Sequence, residues 1–325
     1  MIDLTTRYAG LTLKTPVIVS SSGLTSSIDR IRKMASAGAG AVVLKSLFEE
    51  QILHEIDQMA RQSDYPEAGD YLKTYARENS LESYLALIRD AKEAVDIPVM
   101  ASINCVSGTE WVDFAKKIED AGADALELNI YFLAIEKEKD PRRYEQAYLD
   151  LVSAVKETTS LPLIIKLGSS FTNITWMVHQ LQLRGASAVV LFNRFYSPDI
   201  NMDDLSFGSA EVLSSPADIS QSLRWVGIVS SQVKQLDLAA STGVHSGLAV
   251  IKQILAGATA VQVCSVLYRN GVDYIPNLIG EMKKWMERHR FDSPDEFRGR
   301  LNYNNLKDPA VYERAQFIRY FSQMQ

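Results

Sequence analysis

Short apolar runs separated by amphipathic stretches dominate the chain, and four of them obey one rule. Each begins Gly-Ala-x-Ala: Gly38-Ala39-Gly40-Ala41-Val42-Val43-Leu44, Gly122-Ala123-Asp124-Ala125-Leu126-Glu127-Leu128, Gly185-Ala186-Ser187-Ala188-Val189-Val190-Leu191 and Gly257-Ala258-Thr259-Ala260-Val261-Gln262-Val263. The glycine suits a helix C-terminus, because it accepts a left-handed φ without a Cβ clash. The apolar run suits a strand buried on both faces. Three more runs open with proline, namely Pro16-Val17-Ile18-Val19, Pro98-Val99-Met100-Ala101 and Pro162-Leu163-Ile164-Ile165. Proline is tolerated at a strand's first residue. Leu236-Asp237-Leu238-Ala239-Ala240 is a weaker member of this second set.

Interleaving the two sets predicts eight strands, near 17–20, 41–45, 99–103, 125–129, 163–167, 188–192, 237–241 and 260–263. Helical patterns fill the intervals, as in Ile31 to Ala37, Trp111 to Ala121, Tyr144 to Val155 and Ala249 to Ala256. Eight βα units predict a (β/α)8 TIM barrel, with an open doubly wound sheet as the alternative.

Such a barrel needs ~250 residues, and the chain has 325. The surplus lies near 46–80, between the second strand and its helix, near 193–216 after the sixth strand, and beyond 290, including a C-terminal extension over 302–325. Leu4–Leu13 reads as an N-terminal hairpin. The expectation is one domain over 1–325, with the two insertions rising from the C-terminal face as lids. In the tail, Asp308-Pro309 reads as an N-cap followed by proline at the first helical position, opening an extra helix with Val311, Ala315 and Ile318 on one face.

Composition narrows the class. Apolar residues are 46% and charged residues 23%, which excludes a disordered chain or a coiled coil. A net charge of −6 with no basic stripe argues against a nucleic-acid partner. Two cysteines, Cys105 and Cys264, suit a reducing compartment. The first residues have no targeting pattern, and no apolar run approaches the ~20 residues of a membrane span. A cytoplasmic protein is expected.

Barrel chemistry is read where strands end, and here the ends are polar. They carry Ser20-Ser21-Ser22-Gly23, Lys45-Ser46, Ser102-Ile103-Asn104, Asn129, Lys166, Asn193-Arg194, Ser241-Thr242-Gly243 and Cys264-Ser265. One such residue is ordinarily a satisfied structural group, whereas two lysines and three asparagines at equivalent ends point to a ligand. The small-residue loop 241–247 and the Cys264-Ser265 turn each open a helix, a common phosphate-binding arrangement after the last two strands. No dinucleotide or Walker-type glycine loop follows a strand. The four histidines are scattered, and no zinc-like spacing occurs, so no metal is expected.

At these ends the chain resembles the class 1 dihydroorotate dehydrogenases, FMN-binding barrel enzymes. The resemblance rests on Thr5-Thr6, Ser21-Ser22-Gly23, Lys45-Ser46, Glu127-Leu128-Asn129, Ile165-Lys166-Leu167, Thr242-Gly243-Val244, Gly247, the run Ala256 to Val263, and Asp295-Glu296-Phe297-Arg298-Gly299. It implies an FMN-dependent oxidoreductase acting on CH–CH bonds in pyrimidine biosynthesis, assembled as a homodimer. It further implies that Ser21, Ser22 and Gly23 lie along the flavin and that Lys45 and Ser46 sit near its ring. Asn104 and Asn129 would contact ring edge or substrate, and Lys166 the N1/O2 edge. Thr242, Gly243, Cys264 and Ser265 would hold the phosphate. The chemistry agrees, since a flavin taking a hydride gains negative charge that a fixed ammonium stabilises.

The chain also departs from the family pattern. Family members follow the fourth-strand asparagine with a loop carrying a Cys or Ser base, where this chain reads Asn129-Ile130-Tyr131-Phe132-Leu133-Ala134. Phe132 stands in the base's place and cannot take a proton. Tyr131 is the nearest titratable side chain and the candidate substitute, needing nearby cations such as Lys45 to act. The sixth-strand pair, normally Asn then Ser or Thr, is Asn193-Arg194, and Arg194 is a candidate grip for a substrate anion. The departures leave open another cyclic amide or enone as substrate, or a barrel that binds flavin or phosphate without turnover.

Overall fold

The computed structural model describes residues 2–49, 69–104, 108–195, 197–209 and 211–313. Its strands are β1 (Thr6–Tyr8), β2 (Leu11–Leu13), β3 (Val17–Val19), β4 (Ala41–Val43), β5 (Leu47–Phe48), β6 (Val99–Asn104) and β7 (Ala125–Asn129). They continue with β8 (Leu163–Leu167), β9 (Ala186–Leu191), β10 (Pro198–Asn201), β11 (Ser206–Ser209), β12 (Asp237–Ala240) and β13 (Ala260–Val263). The helices are α1 (Ile28–Ser36), α2 (Gly69–Ala94), α3 (Gly108–Asp120), α4 (Pro141–Thr158), α5 (Ile174–Leu183), α6 (Ile219–Gln232), α7 (Gly247–Ala256), α8 (Ser265–Asn270) and α9 (Ile275–His289).

Eight strands pair in parallel in the order β3, β4, β6, β7, β8, β9, β12, β13, and β13 returns to β3. Closure leaves no free edge, and the intervening helices form the outer layer of a (β/α)8 barrel. The short β5 extends the upper end of β6, pairing Phe48 with Asn104.

Side-chain alternation divides the core in two. Val17, Val19, Leu126, Leu128, Val189 and Leu191 face the helices, whereas Ile18, Val43, Met100, Ile164 and Val190 fill the barrel's interior. The β1–β2 hairpin turns through Ala9 and Gly10, both at positive φ, and adds fully buried Tyr8 and Leu13 to the interior group. Asp237, at the start of β12, accepts from the Ala9 N–H at 2.8 Å and ties the hairpin down. Truncating one such buried aliphatic side chain to alanine costs about 2–5 kcal/mol.

All four repeat glycines, Gly38, Gly122, Gly185 and Gly257, have φ between +90° and +122°, so the sequence rule reflects a backbone that L side chains avoid. The second helix begins earlier than its periodicity predicts. Within 46–80, the stretch from Gly69 onward already belongs to α2, while 50–68 lies outside the described residues. Inside 193–216, β10 and β11 form an antiparallel hairpin that the apolar pattern does not announce.

The C-terminal stretch packs on the outer face of α6 and α7. Leu301 N–H bonds Leu255 O, Tyr303 N–H bonds Gly227 O, and the Tyr312 ring fills the space above Gly227. Asp308 accepts from the Ala310 N–H at 3.1 Å and caps one 3-10 turn over Pro309–Tyr312. The proposed continuation of that helix, 314–325, lies outside the described residues.

Candidate active site

The C-terminal ends of the strands surround a cavity of about 640 Å³. Its floor is Lys166, on β8, whose side chain points inward because Ile165 and Leu167 point at the helices. The Lys166 ammonium donates to Ser20 Oγ at 2.9 Å and Gln262 Oε1 at 2.8 Å, and lies 3.4 Å from Glu127 Oε1. Gln262 in turn donates to Glu127 Oε2 at 2.5 Å. The sequence marks Lys166 but gives Glu127 and Gln262 no role. Their signal is a polar residue at an inward position of a repeat strand.

One wall is a set of hydroxyls. Ser21 and Ser22 line the cavity, and Gly23 approaches closely enough that an added Cβ would stand 3.0 Å from the Tyr268 hydroxyl. Ser46 lies one hydrogen bond behind, 2.9 Å from Ser21 and 2.7 Å from Ser102, whose backbone is fixed from both sides by the Tyr84 hydroxyl. Lys45 is half-buried between β4 and β5 and makes no hydrogen bond or ion pair among the described residues. Asn104, at the tip of β6, is half-buried beside Phe48.

Another side is a cradle formed by the 241–244 turn and the Cys264-Ser265 turn, which both line the cavity. Thr242 and Gly243 have φ of 76° and 78°, and a Cβ at Gly243 would lie 2.1 Å from Ile219 N. Thr242 is held there by its hydroxyl, which donates to Phe192 O at 3.2 Å. Ser246 caps α7, and Cys264 precedes the short α8. Ser214 bridges the turns, accepting from the Gly243 N–H at 3.3 Å, donating its own N–H to Ser265 Oγ at 2.9 Å, and meeting His245 Nε2 at 3.1 Å. Burial, with Arg269 second, holds the His245 pKa below its usual value, and burial pushes the Cys264 thiol up. The hydroxyls of Ser21, Ser22, Thr242 and Ser265 share one cavity with the Lys166 ammonium, a lining that suits an anionic ligand.

The third region is aromatic and amide-rich. Asn193 donates to Asn129 Oδ1 at 2.7 Å, and Asn193 lines the cavity while Asn129 stands behind it. Tyr131, 41% exposed, stacks on Phe195 at 3.8 Å between ring centres, and Phe195 also covers Gly168. Phe132 is half-buried, edge-on to Tyr148, and its N–H donates to the Tyr148 hydroxyl, whose pKa burial pushes up to about 12. Arg194 borders the cavity with its guanidinium turned onto Val212 O, Glu211 O and Asp218.

A barrel with this polar mouth belongs to the enzyme class in which strand-end side chains work on a small ligand. Comparison with known proteins specifies it. The family model described as dihydroorotate dehydrogenase matches residues 3–286. The catalytic subunit of dihydroorotate dehydrogenase B (NAD(+)) from Thermoplasma volcanium is 27% identical, covering 92% of this chain and 98% of that protein. A putative dihydroorotate dehydrogenase A (fumarate) from Aeropyrum pernix is 28% identical over 89% of this chain and 94% of its own length. The chloroplastic dihydropyrimidine dehydrogenase (NADP(+)) of Arabidopsis thaliana is 22% identical over 91% of this chain and 76% of its own length. The chain belongs to the dihydroorotate dehydrogenase family. It is an oxidoreductase of that type. No helix among the described residues is long and apolar enough to cross a membrane.

Proposed function

We propose that the chain is an FMN-dependent oxidoreductase acting on a CH–CH bond of a small cyclic substrate, working as a cytoplasmic homodimer. The observation that carries this reading is that one cavity is lined both by Lys166 and by the cradle of the 241–244 and 264–265 turns. The donor set fits the cofactor. Thr242, Gly243, Cys264 and Ser265 all line the cavity, and the Thr242 and Ser265 hydroxyls on these two turns suit a phosphate. Ser21, Ser22 and Gly23 line the length between, with Ser46 behind them, and Thr242 and Cys264 complete the phosphate end. Bound FMN would supply a two-electron hydride acceptor. Lys166 stabilises negative charge at the ring's edge, and the surrounding apolar strands exclude water, so that charge is weakly screened.

For the substrate, Asn193 presents amide groups, oriented by Asn129 behind it, with Asn104 at the neighbouring strand end. Lys45 and Tyr131 are the proposed proton-handling pair, and Arg194 the proposed grip for a substrate anion that would compete with Asp218. Dihydroorotate is the first candidate. A second reading, a different cyclic amide or an enone, is favoured by a specific observation: the sequence reads Phe132 where the resemblance expects the family base, and its ring packs edge-on to Tyr148. Anaerobic addition of dihydroorotate to the flavin-loaded protein separates them. Bleaching of the flavin absorbance supports the first reading, and its absence, with bleaching by another ring substrate, supports the second.

A further inference from the structure

Glu127 is 0% exposed inside the barrel and does not line the cavity. Its neighbours Leu126 and Leu128 face the helices, so strand alternation points Glu127 inward. In register it lies opposite Ile164, one level below the Asn129–Lys166 pair. The carboxylate reaches toward the Lys166 ammonium, 3.4 Å away, and Gln262 joins the two by accepting from Lys166 at 2.8 Å and donating to Glu127 at 2.5 Å.

Packing does not account for this layer. The row beneath is apolar, with Val43, Met100 and Ala125, and a buried ion pair is frequently less stabilising than apolar side chains of the same volume. Tyr8 also lies in the interior group, its hydroxyl without a hydrogen-bond partner among the described residues. Burial raises the pKa of that phenol, and the negative field of Glu127 raises it further. The pair is polarised, because Lys166 faces the cavity and Glu127 lies on the side away from it.

We infer that Glu127 is a positioning residue: it holds the Lys166 ammonium at the cavity floor and offsets its field, setting the reduction potential of the bound flavin below the value Lys166 alone would give. This rests on the FMN reading above. Lys166 favours the reduced, more negative ring, and a carboxylate behind it opposes that effect. Removing the carboxylate while keeping its shape therefore favours reduction.

The test is dye-equilibrated anaerobic reduction of the FMN-loaded protein and of Glu127→Gln, which removes the charge and keeps one acceptor oxygen for Lys166 or Gln262. At a poise that half-reduces the wild type, the reduced-to-oxidised ratio should rise at least tenfold in Glu127→Gln, about 30 mV for a two-electron couple. Glu127→Leu removes the same charge at similar volume and should also raise the ratio at least tenfold. Thermal melting reports whether each variant is folded. An unchanged or lowered ratio in folded, flavin-loaded Glu127→Gln overturns the proposal, as does loss of flavin from that variant with the fold retained. If Glu127→Gln does not fold, Glu127→Leu decides, and an unchanged or lowered ratio overturns it. A wild-type protein that takes up no FMN fails at the first step, removing the functional reading and this proposal together.

Discussion

Asn193 Nδ2 donates to Asn129 Oδ1 across 2.7 Å, joining residues 64 positions apart in the chain. Asn129 ends β7, Asn193 follows β9, and Lys166 stands on β8 between them. Asn193→Ala should leave the buried Asn129 amide oxygen short of its partner, costing about 1–3 kcal/mol. We expect weaker binding of a cyclic amide ligand, by roughly 5- to 150-fold at that energy. Titration of the flavin spectrum with orotate measures it, and unchanged affinity would show that this amide does not face the substrate.

Gly243→Ala should empty the cradle. Its φ of 78° disfavours any L side chain, and the new Cβ would lie 2.1 Å from Ile219 N, a backbone atom that cannot swing aside. We expect loss of cofactor retention on gel filtration, and destabilisation of at least about 1–3 kcal/mol from the backbone alone. Chemical denaturation with parallel flavin quantitation reads both quantities.

Lys166→Met should lower the flavin's potential. Loss of an interaction with a charged group worth about 1–3 kcal/mol corresponds to roughly 20–60 mV. Spectroelectrochemical titration measures the shift, and an equal potential in a folded, loaded variant would count against the assigned role.

His245 gives a pH dependence with a definite sign. Its folded-state pKa is lowered, chiefly by burial, so the folded protein resists protonating it. The unfolded chain binds that proton more readily, and stability should therefore fall as pH drops below the usual histidine value near ~6.5. His245→Gln should flatten this part of the profile. Thermal melts of the flavin-free protein between pH 7.5 and 5.5 test it, and identical slopes for both proteins would refute it.

Deleting everything after Asn302 should lower the melting temperature while leaving the flavin spectrum intact. The deleted stretch includes Tyr303, which bonds Gly227 O, and Tyr312, which packs on Gly227, both on the barrel's outer face. Loss of flavin without loss of fold would instead place the tail over the cofactor.

The barrel strands were legible because burial on both faces leaves uninterrupted apolar runs such as Ala41-Val42-Val43, and because the helix-ending glycines follow from backbone sterics. The β10–β11 hairpin was not legible. Pro198–Asn201 is exposed at every position and its pairing depends on backbone hydrogen bonds, so no side-chain period marks it. Strand-end chemistry marked Lys166, Asn193 and the 241–247 loop, since polar residues in apolar strands need partners, and Lys166, Asn193 and Ser241–Val244 line one cavity. The partners themselves depend on register. Only the inward turn of Glu127 and Gln262 shows that they serve Lys166. Arg194 could be placed at a strand end, but its rotamer, turned onto Asp218 and the 211–212 carbonyls, is a tertiary outcome.

The central claim is that the cavity between Lys166 and the Gly243 cradle holds FMN. Denaturing the purified or FMN-reconstituted protein and chromatographing the released cofactor tests it most directly. The account predicts FMN at about one per chain. Release of FAD, or of no flavin after reconstitution, would contradict it.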